Sequence, residues 1–278
     1  MYVYFGDISI GLTAANRVTF DTTDEFTALG SVVSVGDINH DGALDLLVGS
    51  PLAPGNSNNI NASLQGKVFG ILASTANTGS NSTINITFAS FLQLVGPVKY
   101  DMFGAAIIVL QSRIYIGAPG HRTYVNGNST TVGCVYVYDL PSVDVMPRVR
   151  GYVLEPVLQI LGDAIFGEFG AALSGAERAG ILAVSAPSAG DKLSGEIFLL
   201  NVTALVTTTR TCGSVYGDWL LGKVVPGARE GSFGRFGKTI LLLDDTEAGM
   251  VNFIVGAPLA NRFSSKAVIS FCPFPFFL

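Results

Sequence analysis

The sequence predicts an all-β fold, a tandem array of four-stranded units of the kind that closes into a β-propeller. Three observations carry this. A pair ending in glycine recurs at Leu29-Gly30, Phe103-Gly104, Phe169-Gly170 and Phe236-Gly237. Each pair precedes an apolar run that ends in a small-small-Pro triplet: Gly49-Ser50-Pro51, Gly117-Ala118-Pro119, Ser185-Ala186-Pro187 and Gly256-Ala257-Pro258. Short runs of Val, Ile, Leu, Phe and Tyr are punctuated by Gly, Asn, Ser and Pro, and no long run has a clean helical period. The marker glycines stand at 30, 104, 170 and 237, so the spacing is 74, 66 and 67 residues. A period of that size means stacked supersecondary units.

The elements follow in order. Residues 1–25 read as a half unit, with Met1–Phe5 as a third strand and Arg17–Phe20 as a fourth. Residues 26–98 form the first full unit, with strands over Ser31–Val35, Leu44–Val48, Gly66–Leu72 and Ile84–Leu94. Units over 99–164 and 165–230 repeat it, and in all three a glycine (Gly66, Gly133, Gly195) opens the third strand. Residues 231–271 are an incomplete unit with a third strand at Ala267–Phe271, and the tail 272–278 fits no repeat. The expectation is four recognisable blades plus a half blade, cut at both ends. The alternative is a small closed ring in which the N-terminal strands complete the last blade.

Composition bounds the function. The chain has 278 residues, 49% of them hydrophobic, so a sizeable core can form and bulk disorder is excluded. Its net charge is -5 with no basic cluster, which argues against a nucleic-acid partner. No uncharged apolar run reaches the ~18 residues of a membrane span, and no signal sequence opens the chain. The two histidines, His40 and His121, cannot build a multi-histidine centre. No G-x-S-x-G elbow occurs, Asp244 and Asp245 are strand neighbours pointing to opposite faces, and Trp219 reads as core, so no catalytic residue is expected. Cys134, Cys212 and Cys272 leave one disulfide or none open.

One loop stands apart. In Gly36–Pro51, residues Asp37, Asn39, Asp41 and Asp45 fit D-x-N-x-D-G-x-x-D. Oxygen ligands at positions one, three and five, the Ala43 carbonyl at seven and Asp45 at nine form a hard-oxygen set, and Gly42 permits the sharp turn. Such a set suits Ca²⁺. An EF-hand would need an acidic residue at position twelve, which is Val48, and its flanks would be helices. Here the flanks are strands, so the cation would pin a β-hairpin. The competing reading is a solvated Asp/Asn/Gly turn.

These pairs, triplets and loop resemble the FG-GAP repeat family, and Asp37 to Asp45 looks like that family's calcium loop. The resemblance implies a seven-bladed propeller, of which this chain would be a fragment, as in integrin α subunits and in the C-terminal part of glycosylphosphatidylinositol-specific phospholipase D. The wide loops and the single calcium loop among four repeats look more like the phospholipase D. That similarity implies a non-catalytic binding or scaffold portion, with zinc chemistry on a missing N-terminal portion of the polypeptide. It also implies a protein or glycolipid-anchored ligand at the propeller loops. An integrin-like adhesion or protein-interaction propeller is the alternative.

Sequons stand at Asn61, Asn81, Asn85, Asn128 and Asn201. Asn61, Asn81, Asn85 and Asn128 are expected in loops and Asn201 after a third strand. With the repeat class they predict a glycosylated, extracellular or secreted protein.

Overall fold

The computed structural model describes residues 1–7, 11–22, 27–55, 64–73, 82–125, 127–140, 154–207, 211–226, 234–245, 250–258 and 268–275. The chain is all-β. Its strands are β1 (Tyr2–Asp7), β2 (Gly11–Asp21), β3 (Val32–Gly36), β4 (Asp45–Ser50), β5 (Lys67–Ile71), β6 (Ser82–Asn85), β7 (Leu92–Val95), β8 (Ala106–Leu110), β9 (Arg113–Ala118), β10 (Arg122–Val125), β11 (Asn128–Thr131) and β12 (Cys134–Asp139). They continue with β13 (Leu158–Leu161), β14 (Leu173–Ala176), β15 (Ile181–Ala186), β16 (Glu196–Asn201), β17 (Cys212–Ser214), β18 (Leu220–Val224), β19 (Thr239–Asp245), β20 (Met250–Ala257) and β21 (Val268–Pro275). Among the described residues two short α-helices intervene, α1 (Ile86–Ala89) and α2 (Val202–Thr207).

The main sheets are antiparallel meanders: β3-β4-β5-β7, then β8-β9-β12-β13, then β14-β15-β16-β18, then β19-β20-β21. Their first strands, β3, β8, β14 and β19, touch in succession. The apolar clusters are shared between neighbouring sheets. Leu47 and Val68 of one sheet join Ile114, Ile116 and Tyr136 of the next. Leu158 and Ile160 join Phe198 and Leu200 in the same way. Face-to-face sheets around a common inner edge are propeller packing.

The repeated residues explain the join. The marker glycine donates its N–H to the first carbonyl of its own triplet: Gly30 to Gly49 at 2.9 Å, Gly104 to Gly117 at 3.1 Å, Gly170 to Ser185 at 2.9 Å and Gly237 to Gly256 at 3.1 Å. The triplet proline then takes the second position of a tight turn, closed by Ala53 N–H on Ser50 O and by His121 N–H on Ala118 O. The marker phenylalanine reaches back one sheet. Phe103 N–H bonds Gln65 O at 3.2 Å and Phe236 N–H bonds Ser194 O at 2.9 Å. Its carbonyl lies where a Cβ would be on the glycine that opens the preceding sheet's third strand, Gly66, Gly133 or Gly195. Those glycines also have φ of +88°, +83° and +95°, so only glycine meets both demands.

Several sequence expectations are corrected. The fourth strand expected over Ile84–Leu94 is split into β6, α1 and β7, because the Asn85 side chain accepts the Thr87 N–H at 3.0 Å and caps a helical turn. β6 leaves its own sheet and pairs parallel with β2. The N-terminal hairpin β1–β2 therefore sits with β6, and among the described residues it does not complete the last sheet. Residues Cys272–Pro275, expected outside the repeat, extend β21 along Phe253–Met250. Their two prolines are tolerated because β21 has β20 as its single partner among the described residues. The β10–β11 hairpin was not legible in the sequence.

Candidate cation loop and loop face

The loop from Asp37 to Ala43 joins β3 to β4, whose register runs from Val32↔Gly49 to Gly36↔Asp45. Its side chains fold the backbone around themselves. Asp37 accepts Gly42 N–H at 2.9 Å and Asp41 N–H at 3.2 Å. Asn39 Oδ1 also accepts Asp41 N–H, at 3.2 Å, and Asp41 accepts Ala43 N–H at 2.8 Å and the Asn39 amide at 2.9 Å. Gly42 has φ +84°. Asp45 differs from the other three. It is buried, and its two carboxylate oxygens accept Ile38 N–H at 3.0 Å and Ala73 N–H at 2.8 Å, tying the loop to the end of β5.

The electrostatics separate the carboxylates. The Asn39 amide and then the Ala43 N–H hold exposed Asp41 below its ordinary pKa. Burial pushes Asp45 up, repulsion from Asp41 and Asp37 adds to this, and the two backbone N–H groups oppose it. The structure thus brings Asp37, Asn39, Asp41 and Asp45 onto one hairpin turn and lets three carboxylates feel one another. Among the described residues, no three His, Cys, Asp or Glu side chains are arranged as a group that could hold a metal. The loop carries oxygen donors and a left-handed turn at Gly42, and backbone N–H groups of Ile38, Asp41, Gly42, Ala43 and Ala73 engage its carboxylates.

Other expected residues fall as follows. Asn128 is exposed at the start of β11. Asn85 and Asn201 are half-buried, and the Asn201 side chain accepts Ala204 N–H at 3.2 Å beside α2. Asn85 was expected in a loop and instead ends β6 and caps α1. Asn61 and Asn81 lie outside the described residues. Cys134 is buried and Cys212 exposed, both free thiols, and burial pushes Cys134 up in pKa. His121 is not a surface base: Asp101 and Tyr136 enclose it. Tyr136 donates its hydroxyl to Asp101 at 2.7 Å, and His121 Nδ1 lies 3.2 Å from both Asp101 oxygens.

Sequence reasoning missed the opposite loop face. Tyr100, Met102 and Phe166, in the connections that lead into β8 and β14, are exposed and have φ of +64°, +56° and +58°. Such backbone in bulky residues is strained. An open cleft of about 360 Å³ lies among Met102, Pro119, Phe166, Glu168 and Lys238. The signal available was a bulky residue three positions before each marker phenylalanine, Tyr100 and Phe166.

Comparison with known proteins agrees with this architecture. The FG-GAP repeat model matches residues 29–63. Phosphatidylinositol-glycan-specific phospholipase D of Homo sapiens is 26% identical over 93% of this chain and 31% of its own length. The Bos taurus protein gives the same figures, and the Mus musculus protein is 25% identical with the same coverage. The chain therefore spans about a third of the curated relatives it matches. The matched repeat contains both the Leu29-Gly30 marker and the acidic loop, and the marker-glycine contact recurs in three further sheets, so the chain carries an FG-GAP repeat within an all-β array of propeller type.

Proposed function

We propose that the chain is the non-catalytic, Ca²⁺-binding propeller portion of an extracellular glycosylphosphatidylinositol-specific phospholipase D-like protein. The observation that carries this is the similarity of nearly the whole chain to one segment of that phospholipase, with the acidic hairpin inside the matched repeat. Asp37, Asn39, Asp41, Asp45 and the Ala43 carbonyl would hold the cation, and the cation would neutralise the carboxylates that now repel. Ligand contact would fall to the loop face of Tyr100, Met102 and Phe166, where an open cleft lined in part by Met102 and Phe166 offers area for a protein or a glycolipid-anchored ligand.

Thermal melting in Ca²⁺ and in chelator tests the cation. A hundredfold excess over Kd should add about 2.7 kcal/mol, several degrees for a chain of this size. Asp41→Ala should erase the difference while leaving the chelator midpoint within about 0.5 kcal/mol of wild type. Identical wild-type curves in the two buffers would remove the calcium reading. Binding of the purified chain to vesicles bearing a glycosylphosphatidylinositol-anchored protein, with Phe166→Ala as the weakened variant, tests the ligand class.

A further inference from the structure

The two described connections between third and fourth strands share a second behaviour. β6 begins eleven residues after the end of β5, and β17 begins eleven residues after the end of β16. Each segment leaves its own sheet and runs parallel to the outermost strand of the sheet before. Ser82–Asn85 lies along Val18–Asp21, and Cys212–Ser214 lies along Gln159–Leu161. The next residue plugs the gap between sheets. Ile86 is buried with Val18 and Phe20, and Val215 is buried with Leu158 and Ile160.

β18 is the outermost strand of its sheet and, among the described residues, pairs with β16 alone. It also lacks a side chain that its counterparts carry. The residue paired with the fourth position of the third strand is Leu92 opposite Gly70, Leu158 opposite Val137 and Gly222 opposite Leu199. Both leucines are buried, whereas a Cβ on Gly222 would have no atom within 4 Å. Leu221 and Val225 beside this notch are 45% and 54% exposed.

We propose that the edge of β18 is a strand-acceptor site. Its occupant is an extended polypeptide segment running parallel to β18, short and uncharged like β6 and β17, followed by an apolar residue that fills the notch at Gly222. The two strand-exchange contacts already present in the molecule set the direction and the pattern of the occupant. Direction separates it from a second copy: two copies of β18 related by a two-fold axis would pair antiparallel, whereas both exchanged segments run parallel to their acceptor strands. Main-chain hydrogen bonds supply the affinity.

The test uses the full chain and a synthetic peptide covering Thr211–Trp219 with Ser in place of Cys212, followed by amide hydrogen exchange. Saturable binding should slow exchange at Leu221–Val225 by about tenfold or more, with a scrambled peptide inert. A peptide carrying Val215→Asp, which removes the apolar plug, should bind about tenfold or more weakly to the unaltered chain. No protection at about 1 mM peptide overturns the proposal. Protection of the same amides without peptide, in a chain that sediments as a dimer, also overturns it, because a second copy then covers the edge.

Discussion

Asp45 holds the hairpin loop and the end of β5 together through one buried carboxylate, and it does so against its own charge. Its folded pKa is raised, so its contribution to stability is complete below the unfolded value of about 3.9 and is lost as pH rises through the folded value. In chelator, melting midpoints measured upward from pH 3.5 should therefore fall through this window by more in wild type than in Asp45→Asn. Added Ca²⁺ should flatten the wild-type fall by compensating the ionised form. A different residue-scale demand acts at Gly66. Alanine there needs a left-handed backbone and collides with the Phe103 main chain, which cannot swing away as a side-chain tip could. Gly66→Ala should cost about 2 kcal/mol or more in urea unfolding, where an ordinary surface Gly→Ala costs little. Tyr136→Phe removes the hydroxyl donated to buried Asp101 and should cost about 1–3 kcal/mol in the same assay.

At the scale of elements, the acidic hairpin was readable because each ligand position is a residue type with a separate reason to be there. The inner strands were readable because buried strands are near-continuous apolar runs, as in Arg113–Ala118 and Ile181–Ala186. The connections were not. Ile86 and Thr87 are β-branched, so the segment looks like strand, and the helix hangs on a cap that Asn85 supplies with one hydrogen bond. Likewise, nothing in Cys212–Ser214 says that its partner lies in another sheet; a three-residue strand carries too little pattern to fix its neighbour. Asn85→Ala should lower stability by about 1 kcal/mol through the cap alone. A glycan on Nδ2 leaves Oδ1 free to accept the Thr87 N–H, so occupancy of this sequon, read by mass spectrometry after expression through a secretory host, should be compatible with full stability.

At the scale of the molecule, cohesion lies between sheets. Phe169 packs edge-on against Phe198 at 5.5 Å in its own sheet, while its carbonyl seats on Gly133 of the sheet before. Phe103 makes the same bridge through Tyr136 and Gly66. Phe169→Ala should cost about 3–5 kcal/mol and, since it opens a shared interface, should loosen hydrogen exchange in both flanking sheets together. The backward reach of the marker phenylalanine gives the array a polarity. The three sheets opened by β3, β8 and β14 are each finished by residues that come later in the chain, so a ribosome releases each one unsealed until the next has begun to emerge. A nascent chain would carry one exposed glycine seat at its leading edge throughout synthesis. An excised piece should be cut after the following Phe-Gly pair, not at the sheet's last strand, if its final sheet is to keep its cover.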